Sequence, residues 1–123
     1  MGGKKSWYIV DGYCPAPNPL ESIKYMGHEC IMILNTNEQE AHVRITIYFS
    51  DRDPVEGITL TVPPKRIMTI NSSDKEVFGG VDVGLHVQYS LEIHSDKDVI
   101  VQYGRMDVQQ PNLAYMALLG YGE

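Results

Sequence analysis

Residues 41–50 read AHVRITIYFS, and this stretch decides the fold class. Its apolar side chains fall on every second position from Ala41 to Phe49, and the positions between them carry polar or amphipathic side chains. Successive side chains of a β-strand point to opposite faces, so the pattern predicts a strand with one buried and one exposed face. This stretch therefore predicts a half-buried sheet, while the role of its polar face stays open.

Strand patterns continue on both sides of this stretch. We predict further strands at residues 6–10, 27–35, 58–62, 65–70, 85–94 and 98–107. Residues 113–119 fit either a strand or a single turn that docks on the sheet. Loops are predicted at 11–20 and 71–84, and a turn between two strands at 95–97. Seven or eight short strands without a long helix predict an all-β fold, specifically a single-domain antiparallel β-sandwich.

The chain length predicts one domain. A chain of 123 residues is large enough to bury a core without disulfides or metals. We assign residues 1–123 to a single domain and residues 1–5 to a flexible leader.

Composition indicates which partners the chain is suited to bind and in which cellular compartment we expect it. The formal net charge is -6, with 16 acidic and 10 basic residues, so the chain as a whole repels a phosphate backbone and nucleic-acid binding is disfavoured. No apolar run approaches the roughly 20 residues of a membrane span, and no signal-peptide core follows Met1. Cys14 and Cys30 then predict reduced thiols and a cytoplasmic protein.

Motifs for catalysis or metal binding are missing from the sequence. There is no GxSxG elbow, no Gly-rich phosphate loop and no HExxH. His86 and His94 share one strand face but are separated by about 27 Å at the usual rise per residue. Cys14 and Cys30 have no CxxC spacing. We therefore predict no enzymatic activity, no metal and no cofactor.

Long or charged side chains within strands or at their ends are better candidates for ligand binding. They are Glu29, Arg66, Gln102, Arg105 and Asp107. A guanidinium and carboxylates that converge in a pocket suit a polyhydroxylated ligand, because both groups form paired hydrogen bonds. The alternative is a solvated face with scattered ion pairs, each contributing about 1 kcal/mol or less.

Several short motifs follow one another along nearly the whole chain. They are Trp7-x-Ile9-x-Asp11-Gly12-Tyr13-x-Pro15, His28-Glu29 followed by Ile33-Leu34-Asn35, Ala41-His42-Val43, Ile45-Thr46-Ile47-Tyr48, Leu60-Thr61-Val62-Pro63 with Arg66, and Val101-Gln102 with Arg105 and Asp107. In their order and spacing these motifs resemble the sensory rhodopsin transducer family. One departure is Tyr103, which stands beside Gln102 where the family pattern leads us to expect a histidine.

The resemblance implies a β-sandwich protomer that assembles into a homotetramer, with no established enzymatic activity. It also implies a small-molecule-binding domain whose suspected ligands are sugars or related metabolites. On this analogy the polar residues of the motifs become joint candidates for a ligand pocket. They are His28, Glu29, Asn35, Arg66, Gln102, Arg105 and Asp107.

Three functions remain open from the sequence. The first is a sensory domain that binds a sugar-like metabolite and relays the signal to a partner. The second is a protein-interaction transducer that docks on the cytoplasmic face of a membrane receptor. The third is a DNA-binding regulator, which the net charge of -6 makes the weakest of the three.

Overall fold

A computed structural model describes residues 2–13, 28–71, 87–107 and 114–123, without the side chains of His28, Asp107 and Ala114. In these ranges the chain forms strands and no helix, and every strand pair is antiparallel. The strands are β1 (Lys4–Tyr13), β2 (His28–Asn35), β3 (Ala41–Phe49), β4 (Val55–Val62), β5 (Arg66–Asn71), β6 (Gln88–Asp107), β7 (Ala114–Leu119) and β8 (Tyr121–Gly122). The predicted all-β antiparallel fold is confirmed.

The strands form two sheets that share β6. Sheet A has the order β4-β3-β6-β1-β8, and sheet B has the order β5-β2-β6-β7. The N-terminal part of β6 lies between β3 and β1, and its C-terminal part lies between β2 and β7. One strand is therefore central in both sheets.

The predicted turn at residues 95–97 is wrong, because β6 runs without interruption through this segment. Its register with β1 jumps from His94, opposite Ser6, to Val99, opposite Lys4. Such an irregularity bends a strand and lets it pass from one sheet to the other. The backbone N–H of Lys97 donates to Ser95 Oγ at 3.2 Å, so a side chain replaces a ladder partner at the bend. Polar residues that favour a turn also favour such a bend, which explains the wrong prediction.

The first strand is longer than predicted at both ends. Lys4 and Lys5, assigned from the sequence to a leader, are the first residues of β1, and Asp11 to Tyr13 extend it into the predicted loop. Of the two alternatives for residues 113–119, the structure has the strand, β7. The predicted loop at 72–84, the remainder of the loop at 14–20, Cys14 and His86 lie outside the described residues.

A single core fills the space between the two sheets. Alternate residues of β1, β3 and the first half of β6 face alternate residues of β2, β5 and the second half of β6, and together they form one buried cluster. Trp7 closes it near the bend, where its indole N–H donates to the carbonyls of Lys4 and Val99, both at 3.0 Å. Because two sheets share this core, the predicted sandwich is confirmed.

Candidate functional site

A buried carboxylate lies at one end of the sandwich. Glu29, on the inner face of β2, has no exposed surface although it follows the first residue of its strand. Its Oε1 accepts a hydrogen bond from the hydroxyl of Tyr89, and its Oε2 accepts one from the hydroxyl of Tyr103. The backbone N–H of Tyr13 donates to Oε2 at 3.0 Å. We call these four residues the Glu29 cluster.

The three donors make burial of the carboxylate tolerable. A buried charge is costly unless hydrogen bonds replace its water, and here both oxygens are occupied. The pKa of Tyr103 is raised well above its usual value, first by burial and then by the hydrogen bond to Glu29. Tyr103 therefore keeps its proton and acts as a donor at physiological pH.

The Glu29 cluster joins the two halves of β6. Tyr89 and Tyr103 are fourteen positions apart on this strand. In a straight strand their Cα atoms would be about 46 Å apart, much farther than two tyrosines bonded to one carboxylate can reach. The bend around residues 95–99 brings them together, because it turns the second half of β6 back over the first. The carboxylate therefore connects sheet A to sheet B.

A bulge in β1 supplies the third donor. Ile9 pairs with Leu91 and Gly12 with Tyr89, so β1 has one residue more than β6 in this interval. The Tyr89 ring packs on the backbone of Gly12, where a Cβ atom would lie 2.6 Å from two ring carbons. Only glycine leaves room for this ring, and the bulge aims the N–H of Tyr13 at Glu29.

Three polar side chains lie close together at this end of the sandwich, and we call them the rim: Asp11, Gln88 and Arg105. Arg105 is the cross-strand partner of Glu29. Its guanidinium lies 5.4 Å from the centre of the Tyr13 ring and 4.0 Å from Asp11 Oδ2. The Gln88 amide donates to Asp11 Oδ1 at 2.9 Å. The rim thus combines a carboxylate, a guanidinium and an amide beside an aromatic ring.

The structure places the seven predicted ligand residues in different parts of the molecule. Glu29 and Arg105 lie together, and the backbone of β2 and β6 places His28 and Asp107 at the same end. Gln102 is exposed on the opposite face of sheet B. Asn35 and Arg66 pair with each other at the far end of β2, about 20 Å from Glu29 at the usual rise per residue.

Asn35 has a structural role at that far end. Its Nδ2 donates to the carbonyls of Gln39, Val62 and Pro63 at 2.9–3.1 Å. Its Oδ1 accepts from both the backbone and the side-chain N–H groups of Asn37. The buried amide is fully used within the protein. Arg66 is exposed and donates to the carbonyl of Lys65 at 2.9 Å.

The sequence analysis missed Asp11, Gly12, Tyr13, Tyr89 and Tyr103 as parts of this site. One sequence pattern indicates two of them: Tyr89 and Tyr103 occupy the apolar, inward positions of their strand, where a hydroxyl needs a buried partner. Glu29 likewise falls on the apolar face of β2, two residues before Ile31. A carboxyl group and two hydroxyls on inner faces would have indicated that they meet.

A second polar network lies on the outer face of sheet A. The ring of His94 contacts Ser6 Oγ through Nδ1, at 3.0 Å, and Glu92 Oε2 through Nε2. The other carboxylate oxygen of Glu92 accepts from the Tyr48 hydroxyl at 2.6 Å. The chain of contacts crosses β1, β6 and β3, so it fixes the orientation of His94.

The described residues form neither a metal site nor a membrane-spanning helix. Within the described ranges, no three His, Cys, Asp or Glu side chains are grouped so that they could hold a metal ion. Cys30 is a free thiol whose pKa is raised by burial and by the nearby Glu29 carboxylate. No helix in the described part of the chain is long and apolar enough to cross a membrane.

Comparison with known protein families identifies the family of this chain. The family model described as Anabaena sensory rhodopsin transducer matches residues 2–122. The chain belongs to this family. The resemblance inferred from the motifs is therefore confirmed over almost the full length of the chain.

Two solved structures show the same fold. The crystal structure of Thermotoga maritima 1070 is 27% identical and superposes with a TM-score of 0.83, covering 100% of this chain and 97% of that one. The Anabaena sensory rhodopsin transducer is 31% identical and has a TM-score of 0.72, covering 84% of this chain and 88% of that one. No curated protein matches the chain in sequence.

Removal of one hydroxyl from the Glu29 cluster should destabilise the fold. We expect Tyr103→Phe to lower the free energy of unfolding by about 1–3 kcal/mol, since a buried carboxylate loses a donor. Tyr8→Phe is the matched control, because Tyr8 lies on the outer face of β1 against the Tyr121 ring, with centroids 6.3 Å apart. It should change the same quantity by less than about 0.5 kcal/mol. Urea unfolding measures both, and equal effects would contradict a special role for the cluster.

The second network predicts a pH dependence of stability. The pKa of Glu92 is lowered below its ordinary 4.5, first by the Tyr48 hydrogen bond and then by that of His94. A carboxylate with a lowered folded-state pKa adds stability above pH 4.5 and loses it as the pH falls through the folded value. We expect Tyr48→Phe to raise the pKa of Glu92 and to cost stability at pH 7 but not at the acid end. The free energies of unfolding of the wild type and of Tyr48→Phe across this pH range test this, together with an NMR titration of the Glu92 carboxyl. A difference in stability between the two proteins that does not change with pH would contradict the prediction.

Proposed function

We propose that this protein is a non-enzymatic sensory domain that binds a small sugar-like metabolite at the rim and relays the bound state to a partner. The observation that carries the proposal is the position of Arg105, whose partly exposed guanidinium lies beside Asp11 and the Tyr13 ring, directly opposite Glu29 on the neighbouring strand. The described residues offer no catalytic arrangement at this end of the sandwich.

The chemistry of the rim suits a polyhydroxylated ligand. A carboxylate and a guanidinium each form two hydrogen bonds in one plane, which matches two neighbouring hydroxyl groups. The Gln88 amide adds a donor and an acceptor, and the Tyr13 ring offers an apolar face for the C–H side of a sugar. Asp11 is 56% exposed and Arg105 21% exposed, so both can be reached from solvent.

The Glu29 cluster offers a route for relay. Asp11 and Tyr13 flank Gly12 in the bulge, and the N–H of Tyr13 donates to the carboxylate that joins the two sheets. A ligand that draws Asp11 or Arg105 toward itself favours one position of this bulge over another. The change then reaches both halves of β6 through Tyr89 and Tyr103.

Family membership supports a transducer role. The relative from Anabaena is described as a sensory rhodopsin transducer, which is a statement about that protein. For this chain we infer a cytoplasmic protein that passes a signal to a partner, with a membrane receptor as the alternative to a metabolite as the source of the signal. Such a protein-interaction transducer is favoured if no small molecule binds at the rim.

The ligand proposal is tested by thermal shift with two arginine variants. Sugars and sugar acids are screened against the wild type, Arg105→Ala and Arg66→Ala, each compared with its own ligand-free melting temperature. A ligand at a hundred times its Kd stabilises by about 2.7 kcal/mol, which raises Tm by several degrees. We expect the shift to be lost in Arg105→Ala and kept in Arg66→Ala, whose guanidinium lies at the far end of β2.

Three outcomes would count against this proposal. If no sugar or sugar acid raises the melting temperature of the wild type, the metabolite hypothesis is wrong and the protein-interaction transducer is favoured. A shift that survives in Arg105→Ala places the ligand elsewhere. A shift lost in Arg66→Ala alone would place the pocket at the Asn35 end of the sandwich.

We also propose that the chain forms a homotetramer through the outer face of sheet B. The register places these side chains on that face: Ile67, Thr69, Asn71, Cys30, Met32, Leu34, Ile100, Gln102, Gly104, Met106, Tyr115, Ala117 and Leu119. None of them is charged, and Ile67, Tyr115 and Leu119 are each at least 60% exposed. A large apolar surface of this kind is typical of subunit interfaces.

The edge of sheet B offers a second contact. The other edge of β7 has no partner among the described strands, and its sequence AYMALL has no charge to block pairing. A face-to-face contact and an edge-to-edge contact about different twofold axes close a tetramer. Second copies of the chain are the occupants that such a self-complementary surface fits best.

Introduction of a positive charge into the apolar face tests the assembly. We expect Leu119→Lys and Tyr115→Lys to reduce the mass in solution from that of four chains to that of one or two, measured by light scattering after size exclusion. Thr59→Lys, an exposed position on the outer face of sheet A, is the control and should leave the mass unchanged. A monomeric wild type, or variants that remain tetrameric, would contradict this assembly.

A further inference from the structure

The outer face of sheet A has a groove far from the rim. Arg44 lies in the middle of β3 with its side chain exposed, between the cross-strand neighbours His94 on β6 and Thr59 on β4. Thr46 follows two positions later on the same face. Arg44, Thr46 and His94 line a groove of about 510 Å³ together with Glu56 and Gly57. This volume falls within the usual range of small-molecule sites.

Most charged groups around this groove already have partners. Glu92 is occupied on both oxygens by Tyr48 and His94. In the adjoining depression of about 210 Å³, which Arg44 and His94 also line, Asp96 accepts from the backbone N–H of His42 at 2.8 Å. The His42 ring lies 3.3 Å from Glu40. These charged side chains beside the groove therefore already have hydrogen-bond or ion-pair partners.

Arg44 and Glu56 are the exceptions. Within the described part of the chain neither forms an ion pair, although both line the same groove and carry opposite charges. Their charged atoms are thus more than the 4.0 Å of an ion pair apart. Gly57 lies in β4, where its pairing with β3 is irregular, with φ at +83°, and no atom lies within 4 Å of the place where its Cβ would be. A small molecule has room between the two charges.

We infer that this groove binds a small monocarboxylate that also carries a hydroxyl or an ammonium group on the adjacent carbon. The guanidinium of Arg44 binds the carboxylate through two parallel hydrogen bonds, and the hydroxyl of Thr46 donates a third hydrogen bond to this carboxylate. The carboxylate of Glu56 accepts a hydrogen bond from the hydroxyl or the ammonium group. A phosphate is disfavoured, because one arginine faces a dianion while Glu56 and Asp96 repel it.

This site is independent of the rim and of the proposed metabolite. Arg44 lies on the outer face of sheet A, whereas Arg105 lies on the inner face of sheet B. The two sites use no residue in common. A ligand in the groove can therefore be distinguished from a ligand at the rim by which backbone amide signals shift in an NMR titration.

The test is an NMR titration of the full chain with L-serine, L-lactate, acetate and inorganic phosphate. We expect saturable shifts of the amides around Arg44, Thr46 and Gly57 with serine or lactate, and weaker effects with acetate, which offers nothing to Glu56. Arg44→Gln should weaken binding by about tenfold or more, because a charge-assisted pair is lost. Arg52→Gln is the matched control, since Arg52 is exposed and pairs with Asp51 and the Phe49 ring. It should change the affinity by less than about twofold.

A second variant distinguishes a loss of binding from a loss of folding. Arg44→Lys keeps the charge and loses the planar fork, so we expect a several-fold weakening with an unchanged melting temperature. The inference is overturned by shifts that persist in Arg44→Gln, by phosphate or acetate binding as tightly as serine, or by the absence of saturable shifts at these amides. Shifts confined to the residues around Arg105 would also overturn it, and they would support the metabolite site at the rim instead.

Discussion

The two hydrogen bonds from Tyr89 and Tyr103 to the buried Glu29 carboxylate are the constraint on which the rest of the structure depends. Both donors belong to β6, so they can meet at one carboxylate only if this strand folds back on itself. That bend places half of β6 in each sheet and sets the two sheets face to face over a common core. The fold and the candidate site therefore depend on the same interaction.

The two outer faces of the sandwich differ in chemistry although the inner faces are alike. Sheet A presents a network of hydrogen-bonded polar groups around His94, with an arginine and a glutamate that have no ion-pair partner among the described residues. Sheet B presents an uncharged surface that includes Ile67, Tyr115 and Leu119. This difference supports the proposals that sheet B contacts other copies of the chain and that small molecules bind at the polar face and at the rim.

Local patterns predicted the strands well because alternation is a property of each strand alone, as in Ala41 to Phe49. They failed at Ser95, where a turn and a bend have the same composition. Glu29 and Arg105 were predicted from charge at strand ends, and antiparallel pairing brought them together. Charge alone does not tell which end of a strand a residue shares with others, so Arg66 entered the same prediction. Asn35 entered it through the resemblance to the family motifs. The partners of Tyr89 and Tyr103 depend on a contact between distant segments, which no local pattern contains.

The position of β6 in the chain has a consequence for how the protein is made. Both sheets lack their central strand until residues 88–107 have been synthesised, so among the described strands β1 to β5 have only each other as partners before that point. β2 with β5 and β3 with β4 can pair early as separate ribbons, and two-stranded ribbons are only marginally stable in water. The ordered core should then form in one late, cooperative step after translation of β6, with slow folding set by contacts between distant segments.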